Sequence, residues 1–161
     1  MDDRALWWGA PAAARPALIS DFELRNRKRS FVFLSRTRGI HNLGMKKELE
    51  SRTKKIAIRI IKLSEALPRR RTADVLGRQV LRSGTSIGAN YREANRAQFR
   101  EDFIHKVALC EKESAETEYW LELLVEAKLI TAGRLNPLIK ECRELLAIFV
   151  TSGRTAKRRL A

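Results

Sequence analysis

The chain contains few of the residues that interrupt helices or favour strands. It has four prolines and eight glycines in 161 residues, and aromatic side chains make up 7% of it. No apolar run approaches the roughly 20 residues that a helix needs to cross a bilayer, so we expect no membrane association. Leu, Ala, Glu, Arg and Lys dominate the sequence, and this composition favours helices.

Cysteine is also scarce. Cys110 and Cys142 are the two cysteines of the chain, and both lie within apolar helical patterns without the spacing of metal ligands. We interpret both as reduced core residues. The N-terminus begins Asp2-Asp3 and lacks the continuous apolar segment of a secretory signal, so we expect a cytoplasmic protein.

The sequence offers little support for catalysis. Di-iron helical bundles use Glu-x-x-His motifs on facing helices, whereas here Asp102 and His105 form one imperfect copy and His41 lies in an irregular region. No glycine-rich phosphate loop follows a strand, and no cysteine and histidine form a supported nucleophile pair. We therefore predict a protein that is not an enzyme and that has no metal site and no cofactor.

The chain divides into two parts. Residues 1–44 lack sustained periodicity, and we interpret them as a disordered or non-native extension, with the hypothesis that translation naturally begins at Met45. Residues 45–161 carry four amphipathic patterns with short connections, which predict an all-α, antiparallel up-and-down four-helix bundle. The predicted helices run from about Glu48 to Leu67, from the N-cap Thr72 to about Ala97, from about Arg100 to Leu129, and from Asn136-Pro137 to the basic tail.

The second predicted helix has three distinct faces at 100° per residue. Its core arc consists of Leu76, Val80, Ser83, Ile87 and Ala94. Opposite this arc lies an arginine row, which we predict to bind nucleic acid, formed by Arg78, Arg82, Arg92 and Arg96. One flank carries Gly77, Gly84 and Gly88, and because missing side chains permit close helix approach, we assign these glycines to an oligomer interface together with Tyr119 and Trp120.

Positive charge extends beyond the second helix. The chain has 33 basic and 19 acidic residues and a net charge of +14, which attracts polyanions. Further predicted nucleic-acid contacts are the basic stripe of the first helix and the end of the tail, namely Arg52, Lys55, Arg59, Lys62, Arg158 and Arg159.

The third helix has the opposite charge, because residues 101–128 contain eight acids and three lysines. The arginine row of one subunit could therefore pair with the acidic helix of the next, and this alternative stays open. Residues 45–161 contain 25 basic and 15 acidic residues, so such pairing would leave an excess of +10 per subunit.

From Leu49 to Leu160 the chain resembles the small bacterial four-helix bundle proteins encoded in intervening sequences of large-subunit (23S) ribosomal RNA genes, sometimes labelled as a ribosomal S-type protein. The resemblance is carried by Ile60-Ile61-Lys62-Leu63 with the Leu67-Pro68 stop, by residues 79–94 (QVLRSGTSIGANYREA), by residues 102–106 (DFIHK) and by residues 112–121 (KESAETEYWL).

The resemblance implies a left-handed bundle that assembles into a ring-like homopentamer. The fold is also similar to that of the accessory variability proteins of diversity-generating retroelements, which bind a reverse transcriptase and nucleic acid. We therefore expect a non-enzymatic homo-oligomer that binds RNA or DNA mainly through phosphate contacts. The alternative is a protein-binding scaffold that is accessory to a polymerase, such as a reverse transcriptase, or to another mobile-element enzyme.

Overall fold

The computed structural model describes residues 41–158, which form four helices. They are α1 (His41–Glu65), α2 (Arg71–Arg96), α3 (Arg100–Glu126) and α4 (Ala132–Arg158), and no strand occurs within these residues. The connections contain at most five residues, so consecutive helices turn back and pack side by side. The predicted all-α four-helix fold is confirmed.

The helices follow one another around the bundle. α2 packs against α1 and α3, α3 also packs against α4, and α1 touches α4 only lightly. Helices α1 and α3 are therefore diagonal to each other, and their outward faces point in opposite directions. This arrangement separates the basic α1 from the acidic α3.

Several helix ends differ from those predicted. α1 begins at His41, so residues 41–44 are helical, while residues 1–40 lie outside the described part of the chain. The N-cap of α2 is Arg70 and not Thr72, and no side chain caps it. α4 begins at Ala132, which places Pro137 inside the helix at a cost of one backbone hydrogen bond close to its N-terminus.

The core consists of apolar side chains that recur every three or four residues on all four helices. Phe149 is the largest fully buried side chain, and its ring centroid lies 5.6 Å from that of Tyr91. Both cysteines are free and buried, as predicted, and burial raises the pKa of each thiol to about 12. Other buried positions include Ile56, Ile60, Val80, Ile87, Val107, Leu121, Leu124, Leu138 and Leu145.

The contact between α2 and α3 includes buried hydroxyl groups. The Thr117 hydroxyl lies 2.9 Å from that of Ser83, and Ser83 also donates to the carbonyl of Gln79 one turn earlier. Ser114 donates to the carbonyl of Cys110 at 2.8 Å. Small side chains with satisfied hydroxyls let these two helices approach closely without leaving polar atoms unpaired.

The glycine flank of α2 faces α1 of the same chain. A Cβ atom at Gly84 would collide with Ile60, and one at Gly77 would lie 2.9 Å from Leu67 Cδ1. The close helix approach is therefore present, but its partner is α1. All three glycines are buried within the subunit, Gly84 and Gly88 against α1 and Gly77 against Leu67, and their assignment to an interface between subunits stays a prediction.

Candidate nucleic-acid interface

The arginine row of α2 is engaged within the chain at its first two positions. Arg78 Nη1 lies 2.7 Å from Asp74 Oδ2 one turn earlier. Arg82 reaches across to α3, where it pairs with Glu116 and lies 3.5 Å from Glu113 Oε2. Arg82 thus pairs with the acidic third helix of its own subunit. The sequence alone left open that this pairing forms between neighbouring subunits.

The last two arginines of the row differ from each other. Arg92 is partly buried and its Nη1 donates to the carbonyl of Gly88 at 3.2 Å. Arg96 lies exposed in the last turn of α2 and forms no ion pair within residues 41–158. The four arginines share a helix face as predicted, yet they do not form a uniform row of free guanidinium groups.

The basic stripe of α1 also divides into engaged and free cations. Arg52 contacts two carboxylates of α4, Glu141 and Glu144, at 2.8 Å each, and the Glu141 hydrogen bond is the main reason that the pKa of Arg52 is raised. The remaining three predicted members are exposed and form no ion pair in the described part of the chain: Lys55, Arg59 and Lys62. Lys54, which the periodicity did not single out, is exposed beside them.

The connection between α1 and α2 adds cations that the helical periodicity did not include. Arg69, Arg70 and Arg71 are all exposed, and none forms an ion pair among residues 41–158. Arg71 opens α2, where the helix dipole already places positive charge. The signal for this cluster was present in the sequence as three consecutive arginines after Pro68, where no helix periodicity could indicate a shared face.

The outward face of α3 has a different character. Two arginines each contact a pair of its glutamates, one from either side. Arg82 of α2 contacts Glu113 and Glu116. Arg143 of α4 lies with its Nη2 2.7 Å from Glu122, and its Nε contacts Glu118. Arg82 holds the pKa of Glu116 below its usual range through their hydrogen bond. Four of the eight carboxylates of α3 are therefore paired inside the subunit, and α3 keeps an excess of negative charge.

The two aromatic residues assigned to an oligomer interface lie on α3. Tyr119 is 53% exposed, and its ring meets that of Trp120 edge to face at a centroid distance of 4.9 Å. Trp120 is partly buried and donates its indole N–H to Glu116 at 3.2 Å. Tyr119 is accessible to a partner, whereas Trp120 mainly supports it from the side.

The tail of the chain is described only in part. Arg158 is exposed at the end of α4, and Arg159 lies outside the described residues. Within residues 41–158 no three His, Cys, Asp or Glu side chains are grouped so that they could hold a metal ion. No helix in this range is both long enough and apolar enough to span a membrane.

Comparison with known proteins identifies a family and a similar structure. The family model described as "23S rRNA-intervening sequence protein" matches residues 46–151. The fold is similar to a 1.70 Å crystal structure from Bacteroides thetaiotaomicron VPI-5482, described as a protein with unknown function from the S23 ribosomal protein family. The two are 38% identical with a TM-score of 0.64, and the match covers 68% of this chain and 97% of that one. Among curated proteins no match is found.

Proposed function

Since this chain belongs to the 23S rRNA-intervening sequence protein family, we propose that it is a non-enzymatic protein that binds RNA or DNA through phosphate contacts. The binding surface in this proposal is the outward face of α1 together with the arginine connection to α2. Its members are Lys54, Lys55, Arg59, Lys62, Arg69, Arg70 and Arg71.

The observation that carries the proposal is an unequal use of charge in ion pairs. Three arginines, Arg52, Arg82 and Arg143, each contact two carboxylates within residues 41–158. Ion pairs within residues 41–158 therefore involve more acidic than basic side chains. The surplus of cations is left at the surface, where a polyanion can reach it, and it is concentrated on α1 and the connection that follows.

The geometry of this surface suits a phosphate backbone. Lys55, Arg59 and Lys62 follow one another at spacings of four and three residues, which places them on adjoining turns of one face. Each turn of helix rises about 5.4 Å, so the three cations form a line along α1. Such contacts position a nucleic acid without reading its sequence, and we expect little sequence preference.

A paired-lysine substitution tests this surface. Lys55→Gln with Lys62→Gln removes two positive charges from the α1 face, and both residues are exposed and outside any ion pair among residues 41–158. If each contacts a phosphate, the slope of log affinity against log salt should fall by about two. The measurement is fluorescence anisotropy of a labelled RNA and a labelled DNA over a range of salt concentrations.

The matched control is Lys112→Gln with Lys128→Gln. These lysines are also exposed, lie on or just after α3, and give the same change in net charge. The control should keep the wild-type slope. Equal losses in both double variants would show that net charge alone matters and would contradict a surface on α1, whereas unchanged affinity in the first variant would remove the basis for the proposal.

We include self-association into a ring-like homopentamer in the proposal. The apolar side chains that a single chain leaves exposed away from α1 support it, in particular Val75 and Tyr119. Tyr119→Ser should lower the mass observed by native mass spectrometry if α3 contributes to the contact. An unchanged mass would remove Tyr119 from the interface.

A scaffold for a polymerase or another mobile-element enzyme is the second candidate. The outward face of α3 favours it, because Tyr119 is exposed there among carboxylates that would repel phosphates. Recovery of a protein partner from nuclease-treated extract, lost on Tyr119→Ser but not on Lys55→Gln with Lys62→Gln, would support the scaffold. Loss of all partners on nuclease treatment would count against it.

A further inference from the structure

A cleft of about 450 Å³ opens at the end of the bundle where α1 passes into α2. Its apolar wall is formed by Ile61, Leu67, Pro68, Ala73 and Leu81. Ile61 is 40% exposed, so the wall is open to solvent at its mouth and is not filled by the side chains of residues 41–158. The volume lies in the range of small-molecule sites, and an apolar wall of this kind accepts a flat ring.

The rim of the cleft carries cations. Arg69 lines it directly, and Arg70 and Arg71 continue from it along the connection. Arg78 is also on the rim, where Asp74 holds its guanidinium at 2.7 Å. An apolar recess therefore adjoins the exposed Arg69, which is followed in the chain by two further exposed arginines, and none of the three forms an ion pair within residues 41–158. This combination fits a ligand that has a flat apolar part and anionic groups beside it.

We propose that the cleft receives an unpaired nucleobase while Arg69, Arg70 and Arg71 hold the adjacent phosphates. This inference rests on the proposed nucleic-acid binding and adds the form of nucleic acid that is preferred, namely a single strand or a loop. A base inside a duplex is stacked and paired and cannot enter a recess, whereas an unpaired base can be turned out. Glu65 at the mouth can accept a hydrogen bond from an exocyclic amine, the contact that carboxylates make with cytosine.

The charges beside the cleft favour a nucleotide over a protein side chain as its occupant. An apolar side chain of a partner protein would fill the recess but would bring no anion to the three arginines. A nucleotide supplies both parts at a fixed spacing, because each base is joined to phosphates on either side. The same site would serve RNA or DNA, since it recognises the base and the phosphates that both possess.

Two isoleucines of α1 provide a matched test. Ile61→Gln replaces part of the apolar wall, while Ile58→Gln changes a residue of almost equal exposure, 42% against 40%, that does not line the cleft. Neither substitution alters net charge, and the two positions are exposed to nearly the same extent, so their effects on thermal unfolding should be similar. The probes are single-stranded oligodeoxycytidylate, the same oligonucleotide with internal abasic positions, oligocytidylate RNA, and a duplex of equal length.

Ile61→Gln should weaken binding of oligodeoxycytidylate and oligocytidylate by about five-fold, since apolar contact between a base and the wall is lost. Ile58→Gln should leave the affinity for these oligonucleotides within about two-fold of wild type, because Ile58 does not line the cleft. Wild type should bind the abasic strand and the duplex more weakly than the intact single strand, and the two variants should not differ on those probes.

The alternatives give different results. Equal effects of Ile61→Gln and Ile58→Gln, or abasic strands bound as tightly as intact ones, would overturn the base site while salt-dependent phosphate binding remained. Absence of salt-dependent binding to every probe would instead overturn the proposed function, and the base site with it. A protein partner recovered after nuclease treatment and lost only on Ile61→Gln would show that the cleft accepts a protein side chain and would also overturn the inference.

Discussion

Alanine substitutions at three glycines should have graded effects on stability that follow from their neighbours. At Gly133, on the exposed first turn of α4, nothing lies within 4 Å of the position that the new methyl group would occupy. At Gly88 the nearest α1 atom would be Thr53 Cβ at 3.5 Å, an ordinary contact. At Gly84 the methyl group would collide with the end of Ile60 and lie 3.2 Å and 3.3 Å from its Cγ2 and Cγ1 atoms.

These distances set the expected magnitudes. Alanine is favoured over glycine in a helix by about 1 kcal/mol, and by roughly half of that near a helix end, so Gly133→Ala should stabilise by about 0.5 kcal/mol. Ile60 is fully buried and cannot turn away freely. Overpacking of this kind costs about 2 to 3 kcal/mol, so Gly84→Ala should destabilise by about 1 to 2 kcal/mol after the gain in helix propensity. Gly88→Ala lies in the helix interior and meets only ordinary contacts, so it should stabilise by up to about 1 kcal/mol.

Urea unfolding followed by circular dichroism measures these differences, and it should be carried out at two protein concentrations because assembly makes stability concentration-dependent. A difference of about 2 kcal/mol between Gly84→Ala and Gly133→Ala corresponds to roughly 8 °C in melting temperature for a domain of this size. If Gly84→Ala proved as stable as Gly133→Ala, α1 would not pack on Gly84. A loss that disappeared at high protein concentration would support a contact of the glycine flank between subunits.

Two further predictions concern titratable groups. Arg82 lowers the pKa of Glu116 from its usual 4.5, so the pair stabilises the fold above that pH and its contribution is lost as pH falls through the lowered value. Arg82→Gln should therefore reduce the acid-induced fall in the free energy of unfolding, by less than about 1 kcal/mol because the pair is partly exposed. Parallel curves of unfolding free energy against pH for the variant and the wild type would contradict this. Burial raises the pKa of Cys110 and of Cys142 from 9.0 to about 12. The contribution of each buried thiol to folding stability is therefore fully present below about pH 9 and is lost as the pH rises toward 12. Neither thiol should react with a thiol reagent at neutral pH until the protein unfolds, and rapid labelling of the folded protein would show that the helices do not cover them.

The sequence predicted faces of helices better than their ends. Val80, Ser83 and Ile87 recur with the helical period and are all buried. Residues that recur with this period lie on the same side of a helix, so the pattern predicts which side packs against the core. The ends depend on a few hydrogen bonds instead. Thr72 and Asn136-Pro137 looked like N-terminal signals, but the helices begin earlier, at Arg71 and Ala132.

The site shows a similar division. Periodicity correctly placed Arg82 away from the core arc, but it could not indicate that the side chain reaches Glu116, because that depends on the rotation of α3 about its own axis. Arg52 was missed as a structural residue for the same reason, since its partners lie 89 and 92 residues away in the chain. Free and engaged cations are indistinguishable in a sequence, and only the arrangement of the helices separates them.

The diagonal placement of α1 and α3 gives the subunit a permanent electric dipole. Residues 41–65 hold seven basic and three acidic side chains, whereas residues 100–126 hold three basic and eight acidic ones. In the field of a polyanion an unassembled subunit experiences a torque as well as an attraction. It would rotate during its approach until α1 leads, so that orientation is largely achieved before the first contact forms.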